Sequence, residues 1–175
     1  SILISDAALL VQFRSPITKE QAFTTIVKMY QEKLYWHIRR MVIYHEDAND
    51  VLQNCFIKAW KGLDNFREDA QLYTWLYRIA TNETLSFLEQ QKRKSTHAID
   101  DASNHYIQAI QADTHFDGKK LEWKLQLAIQ RLPERQRIVF NLRYYDEMPY
   151  AEMSKVLETS EGALKASYHH AVKKI

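Results

Sequence analysis

The sequence predicts an all-α protein: two small helical domains, residues 1–94 and 119–175, joined by an acidic linker over residues 95–118. Three observations carry this. Apolar residues recur at steps of three and four along most of the chain, the spacing of a single helix face. Gly and Pro number three each, too few for a turn-rich β fold. Between Ser95 and Gly118 the periodicity lapses, leaving four Asp and no Lys or Arg.

The chain has 175 residues, 46% of them hydrophobic, enough for one domain of usual size or two small ones. Its net charge of +2 conceals an uneven distribution. Residues 1–94 carry 13 Lys/Arg against 11 Asp/Glu, and residues 119–175 carry 11 against seven, with the acidic linker between them. Such a balance fits a nucleic-acid partner without establishing one. The single cysteine, Cys55, excludes an internal disulfide and fits a reducing compartment. No apolar run approaches a membrane span and the first residues do not form a secretory signal, so the expected location is the cytoplasm, with no membrane insertion. Lacking an initiator Met, the chain is expected to be a processed form.

In order, Ser5 can cap a short helix through Phe13, broken at Arg14-Ser15-Pro16. Thr18 and Gln21 have capping-box spacing, so a long helix should start near Lys19. Its face is Ala22, Phe23, Ile26, Val27, Tyr30, Leu34, Ile38 and Met41. A third helix, about Asp47 to Lys61, carries a buried stripe of Val51, Leu52, Cys55, Phe56, Ala59 and Trp60, continued by Leu63. Gly62 is placed to end it. Asp50, Gln53, Asn54, Ile57 and Lys61 lie on the opposite face. A charged loop from Asp64 to Gln71 leads to a fourth helix, about Leu72 to Lys92.

That fourth helix holds Tyr73, Trp75, Tyr77 and Phe87, with Arg78 and Asn82 interleaved. This is more aromatic surface than one core stripe needs. Trp75 suits the core; Tyr73 and Tyr77 can serve as surface stacking groups. Aromatics interleaved with basic and amide groups suit single-stranded nucleic acid, because every base offers a face to stack on and the backbone needs positive charge. Lys92-Arg93-Lys94 also suits a helix C-terminus for dipole reasons alone. The linker has only a weak apolar cluster at Tyr106, Ile107, Ala109 and Ile110, room for one short helical turn.

The second unit begins near Lys119 with Leu121, Leu125, Ala128, Ile129 and Leu132. Pro133 is expected as the first residue of the next helix, whose face is Ile138, Val139, Leu142 and Tyr145. Asp146-Glu147-Met148 turns, and Pro149 opens a short helix, Tyr150 to Leu157. Glu158-Thr159 turns again, and Ser160 can cap a last helix through Lys174. Leu164, Tyr168, Ala171 and Ile175 can pack inward. Short helix, tight turn and longer helix is the helix-turn-helix pattern, whose second helix enters the major groove.

At the level of motifs the chain resembles the sigma factors of bacterial RNA polymerase, in particular the small extracytoplasmic-function (ECF) group. In the first domain the resemblance rests on Asp47-Ala48-x-Asp50-x-x-Gln53-x-x-Phe56-x-x-Ala59-Trp60, Phe66-Arg67 and Thr74-Trp75-Leu76-Tyr77-Arg78-Ile79-Ala80-x-Asn82. In the second it rests on Leu132-Pro133-Glu134-Arg135-Gln136-Arg137, Tyr150-Ala151-Glu152-Met153 and Glu161-Gly162-Ala163-Leu164-Lys165. It implies a four-helix sigma region 2 over 1–94 and a helix-turn-helix sigma region 4 over 119–175. The implied function is that of a promoter-specificity subunit that helps melt DNA and initiates transcription, with no catalytic residues.

The resemblance assigns roles. Asp50, Gln53, Asn54 and Ile57 would bind core polymerase at the clamp helices of the beta-prime subunit; the beta flap is a further implied contact. Lys58, Lys61, Asn65, Arg67, Tyr73, Tyr77, Arg78 and Asn82 would meet the minus-ten element as single strand, with one base flipped into the loop. Glu161, Lys165, Ser167, His169, His170 and Lys173 would read the minus-thirty-five element as duplex. Ser167 and His170 stand where Arg is common in the family, which implies an altered base preference, since Arg to guanine is a strong bidentate contact. The linker's charge suits a path through a positively lined polymerase channel, and equally a solvated linker. An anti-sigma protein is a further implied partner.

Two other classes fit the sequence less well. A stand-alone helix-turn-helix regulator would need neither the Asp50/Gln53 face nor an aromatic helix. An enzyme lacks support: the seven histidines show no metal-ligand helix spacing, no metal or cofactor is implied, and there is no glycine-rich phosphate loop or nucleophile motif.

Overall fold

The computed structural model describes residues 4–67, 70–94 and 120–175, and among these there is no strand. The N-terminal unit comprises α1 (Asp6–Arg14), α2 (Lys19–Arg39), α3 (His45–Gly62), a 3-10 turn (Leu63–Asn65) and α4 (Leu72–Lys94). The C-terminal unit comprises α5 (Lys120–Gln130), α6 (Glu134–Tyr144), α7 (Tyr150–Leu157) and α8 (Glu161–Lys174). The expected linker, with its apolar cluster at residues 106–110, lies outside the described residues. No helix among the described residues is long and apolar enough to cross a membrane.

The α1 helix starts where a hydroxyl can satisfy a free amide: the Ala8 N–H donates to Ser5 Oγ at 3.2 Å. Its buried face is Leu9, Leu10 and Phe13. Asp6 serves a different helix. Its carboxylate accepts from the backbone N–H of Leu72 at 3.0 Å, the first residue of α4. A negative charge there satisfies an orphan donor and complements the helix dipole. Asp6→Ala is therefore expected to cost about 1 kcal/mol of stability, read as a lower midpoint in urea unfolding.

Along α2, Ala22, Ile26, Leu34 and Ile38 are buried. The capping box expected at Thr18 does not form. Thr18 donates its hydroxyl backwards, to the Gln12 carbonyl at 2.6 Å, tying α1 to α2 instead. The α3 helix opens at His45, two residues before its expected start, with Glu46 and Asp47 in the first turn. Gly62 ends α3 without a left-handed conformation (φ −96°). Its requirement is space: a Cβ there would lie 3.3 Å from Trp75 Cζ2. Trp75 also packs edge-on to Phe66, centroids 5.3 Å apart. One half-buried indole thus pins the turn between α3 and α4.

The C-terminal unit follows its punctuation. Pro133 is the N-cap of α6, one residue before the expected position, because the helix begins at Glu134. Glu158 takes a left-handed conformation (φ 52°) after α7, and Ser160 Oγ accepts from the Ala163 N–H at 3.3 Å to cap α8. Leu164 and Ala171 are buried as expected, but Ile175, beyond the helix end, is 41% exposed.

The two units meet. The α7 helix packs against α4, and Ile138, Leu142, Met148, Met153 and Val156 join the apolar cluster built by Ile38, Met41, Leu72 and Leu76. Within this contact lies a polar group. Tyr77 donates its hydroxyl to Asp146 Oδ1 at 3.0 Å, and Arg40 Nη1 lies 3.5 Å from the same oxygen. His37 Nδ1 lies 3.8 Å from Asp146 Oδ2, while its Nε2 is bonded to Thr81 Oγ1 at 2.9 Å.

His37 is fully buried. Burial first, and then the Arg40 charge, lower its pKa from 6.5 to about 3. The folded form therefore holds a neutral ring. That stability is complete above pH 6.5 and is lost as pH falls from there towards about 3. The maximal slope is about 1.4 kcal/mol per pH unit. Asp146, whose carboxyl burial pushes up, works in the opposite direction and offsets part of the loss at acid pH. The melting temperature is expected to fall between pH 7 and 5, and His37→Gln to flatten that fall.

Candidate nucleic-acid interface

The outer side of α3 is set by its inner side. Ala48, Val51, Cys55 and Ala59 are buried, so Asp50, Gln53, Asn54 and Ile57 stand exposed on one strip at i, i+3, i+4 and i+7. Ile57 is 51% exposed, an apolar residue in a polar strip. Near the strip's start, Glu46, Asp47 and Asp50 sit close together. Partial burial, then the charges of Asp50 and Glu46, raise the Asp47 carboxyl above its usual range. That arrangement suits a basic partner with an apolar contact.

The eight residues expected to meet single-stranded DNA do not share one surface. Lys58, Lys61, Asn65, Arg67, Arg78 and Asn82 are exposed. Lys58 pairs with Glu83 across α3 and α4. On α4, Trp75, Arg78 and Asn82 line one strip. Tyr73 and Tyr77, four apart, lie on a different side with Thr74 and Thr81. Tyr73 is half-buried and meets Tyr77 edge-on, centroids 6.3 Å apart. Tyr77, expected as a surface stacking group, is only 4% exposed, because the C-terminal unit covers it. Arg78 is held by Glu158 of that unit.

In the C-terminal unit, Glu161, Lys165, His169, His170 and Lys173 are exposed along α8. Ser167 is half-buried beside the packed stripe, away from Lys165. Tyr168 stacks on Phe140, centroids 5.7 Å apart and planes at 19°, fixing α8 on α6. Two groups escaped the sequence reading. Arg135 donates to Thr159 Oγ1 and to the Leu157 carbonyl, stapling the turn between α7 and α8 from below. The Tyr150 ring has the Arg143 guanidinium 4.5 Å and the Lys165 ammonium 5.7 Å from its centroid. Arg143 thereby adds a cation beside α8, a placement visible only once α6 and α7 are folded together. Among the described residues no group of three or more His, Cys, Asp or Glu could hold a metal ion.

Comparison with known families supplies the remaining observation. Residues 26–94 match Sigma-70 region 2, and residues 122–175 match Sigma-70 region 4. The RNA polymerase sigma-H factor of Pseudomonas aeruginosa is 32% identical over 160 residues, covering 87% of this chain and 83% of the relative. The chain belongs to the sigma-70 family.

Its relatives place this sigma factor in the ECF group. The ECF RNA polymerase sigma-E factor of Escherichia coli K12 is 31% identical over 167 residues, with 87% of this chain and 83% of the relative covered. SigW of Bacillus subtilis is 29% identical over 158 residues, with 86% and 84% covered. The fold is shared with CnrH, solved in complex with the cytosolic domain of CnrY: TM-score 0.69, 24% identity, 98% of this chain and 94% of that one. It is also shared with RpoE of Bartonella quintana, solved with the anti-sigma factor NepR: TM-score 0.68, 19% identity, 87% and 92% covered. The function of the sigma factor is that of its family, promoter recognition for RNA polymerase at the start of transcription.

Proposed function

We propose that this sigma factor docks on core polymerase through α3 and reads promoter DNA with two separate surfaces, one per unit. Residues 1–94 form the polymerase-binding and minus-ten unit, residues 119–175 the minus-thirty-five unit, and residues 95–118 the connection. Asp50, Gln53, Asn54 and Ile57 contact the clamp helices of the beta-prime subunit; the C-terminal unit engages the beta flap. Lys58, Lys61, Asn65, Arg67, Arg78 and Asn82 contact the opened minus-ten strand, with Tyr73 and Tyr77 as stacking groups once uncovered. Glu161, Lys165, His169, His170 and Lys173 face the minus-thirty-five duplex, with Ser167 at its margin. The chain works in the cytoplasm, carries out no catalysis and takes an anti-sigma protein as regulator. Two relatives of its fold solved with such regulators or with a partner's cytosolic domain support that last point.

The observation that carries the reading is the exposed strip on α3, apolar at Ile57 and acidic at its start, on a helix whose other face is committed to the core. Transcription from a promoter library with purified core polymerase tests it. The chain is expected to direct initiation at a defined two-part promoter, and Asp50→Ala to weaken polymerase binding about tenfold or more. Tight binding to duplex DNA alone, with no redirection of the polymerase, would sink it.

A further inference from the structure

The bend before α8 is built without the residue such bends favour. Only Glu158, Thr159 and the cap Ser160 separate α7 from α8. Glu158 takes the left-handed conformation, φ 52° and ψ 45°, which crowds any side chain and is easiest for glycine. Its N–H and that of Thr159 both donate to the Ser154 carbonyl, which closes the end of α7. That leaves the Leu157 carbonyl, an orphan acceptor at the helix end. It receives the Thr159 hydroxyl at 3.0 Å and Arg135 Nη2 at 3.5 Å. Arg135 Nη2 also donates to Thr159 Oγ1. Guanidinium, hydroxyl and carbonyl thus form a triangle around the bend.

One corner of that triangle does not belong to the bend. Arg135 stands in the first turn of α6, the helix on which α8 packs. The α6 helix therefore holds α8 at three places. Arg135 grips the bend where α8 starts. Phe140 stacks on Tyr168 along its length. At its end, Lys174 Nζ donates to Gln136 Oε1 at 3.1 Å. Burial of Leu164 and Ala171 decides which face of α8 is inward, but a helix seated on a short apolar seam can still pivot. Tethers near both ends remove the pivot. The Lys174 tether is one bond from a flexible, exposed chain. Arg135 makes two from one planar group, a stiffer attachment.

We infer that Arg135 is a positioning residue for α8: through Thr159 and the Leu157 carbonyl it sets the angle at which that helix meets duplex DNA, and so governs how sharply the minus-thirty-five sequence is discriminated. That role depends on α8 being the minus-thirty-five helix, as proposed above. Base edges are read by hydrogen bonds that demand distance and angle, whereas phosphate contacts from long cationic side chains follow small displacements. Loss of the tether lowers discrimination between sequences more than it lowers affinity for DNA as such.

The test uses holoenzyme, the full chain on core polymerase, with promoter templates randomised over the minus-thirty-five segment and constant at the minus-ten. Arg135→Ala is expected to lower the ratio of best-bound to worst-bound sequence about tenfold. Thr159→Val removes the hydroxyl but keeps the side-chain shape and every charge, and is expected to act in the same direction. Arg135→Lys keeps the charge but cannot span both acceptors, and is expected to resemble Arg135→Ala. The slope of log affinity against log salt is expected to stay at its native value, since no phosphate contact is lost. A uniform loss across all sequences, with a salt slope smaller by about one that Arg135→Lys restores, assigns Arg135 a direct phosphate contact and overturns positioning. Unchanged discrimination in Arg135→Ala and Thr159→Val overturns it as well. If circular dichroism finds Arg135→Ala unfolded, Thr159→Val decides alone. Absence of any minus-thirty-five selection by the native holoenzyme removes the reading of α8, and the positioning role with it; selection kept equally by native chain and variants removes the positioning role only.

Discussion

Ile57→Glu is expected to lower affinity for core polymerase about 100-fold while leaving thermal stability almost unchanged. The side chain is 51% exposed and belongs to neither the buried core nor the residues packed on it, and surface changes of that kind stay within about 0.5 kcal/mol. In a complex it would lose apolar area to its partner, a gain of roughly 1.5–3 kcal/mol for a large aliphatic group. The substitution removes that gain and adds a carboxylate to a strip that already carries Asp50. Desolvating this second acid against an apolar contact adds to the loss, and about 2.7 kcal/mol in total corresponds to 100-fold. Direct titration of labelled chain with core polymerase, beside a thermal melt, separates the two expectations. Unchanged affinity would move the docking surface off α3.

Leu76→Ala is expected to have the largest effect on stability. Leu76 is fully buried on the side of α4 that faces α3. Cys55 Sγ lies 3.9 Å from its carbonyl oxygen, so α3 runs close against this part of α4. Truncation there leaves a cavity that stiff neighbouring helices cannot close, at a cost of about 2–5 kcal/mol. Against a typical total of roughly 5–15 kcal/mol this is a large share. The melting temperature should drop by on the order of 10 °C. Because α7 also packs on α4, probes in both units should report the loss together. A drop confined to the N-terminal unit would show that the C-terminal unit folds without its support.

The helices were legible in the sequence wherever a local rule acted alone. Ser5 and Ser160 cap as expected, and the stripe from Val51 to Leu63 is buried or half-buried throughout. Local rules failed where a distant residue competed. The Thr18 hydroxyl is taken by Gln12, and Gly62 answers to Trp75 instead of to its own turn. The α3 strip was readable because exposure follows from period alone. The fate of Tyr77 was not, because its hydroxyl partner, Asp146, is 69 residues away and sits in what looks like an ordinary polar turn. Asp6 reads as a first-turn acid of its own helix, with nothing nearby to reveal that it serves α4.

That last contact also bears on how the chain is made. Synthesis runs from the N-terminus, so the Asp6 carboxylate leaves the ribosome 66 residues before the amide it will receive. When Leu72 emerges, its acceptor is already outside, and once α1 has folded the carboxylate meets the first amide of α4 and offsets part of the cost of that helix's first turn. A chain trimmed past Asp6 would keep every residue of α4 and yet lose the carboxylate that receives its first amide.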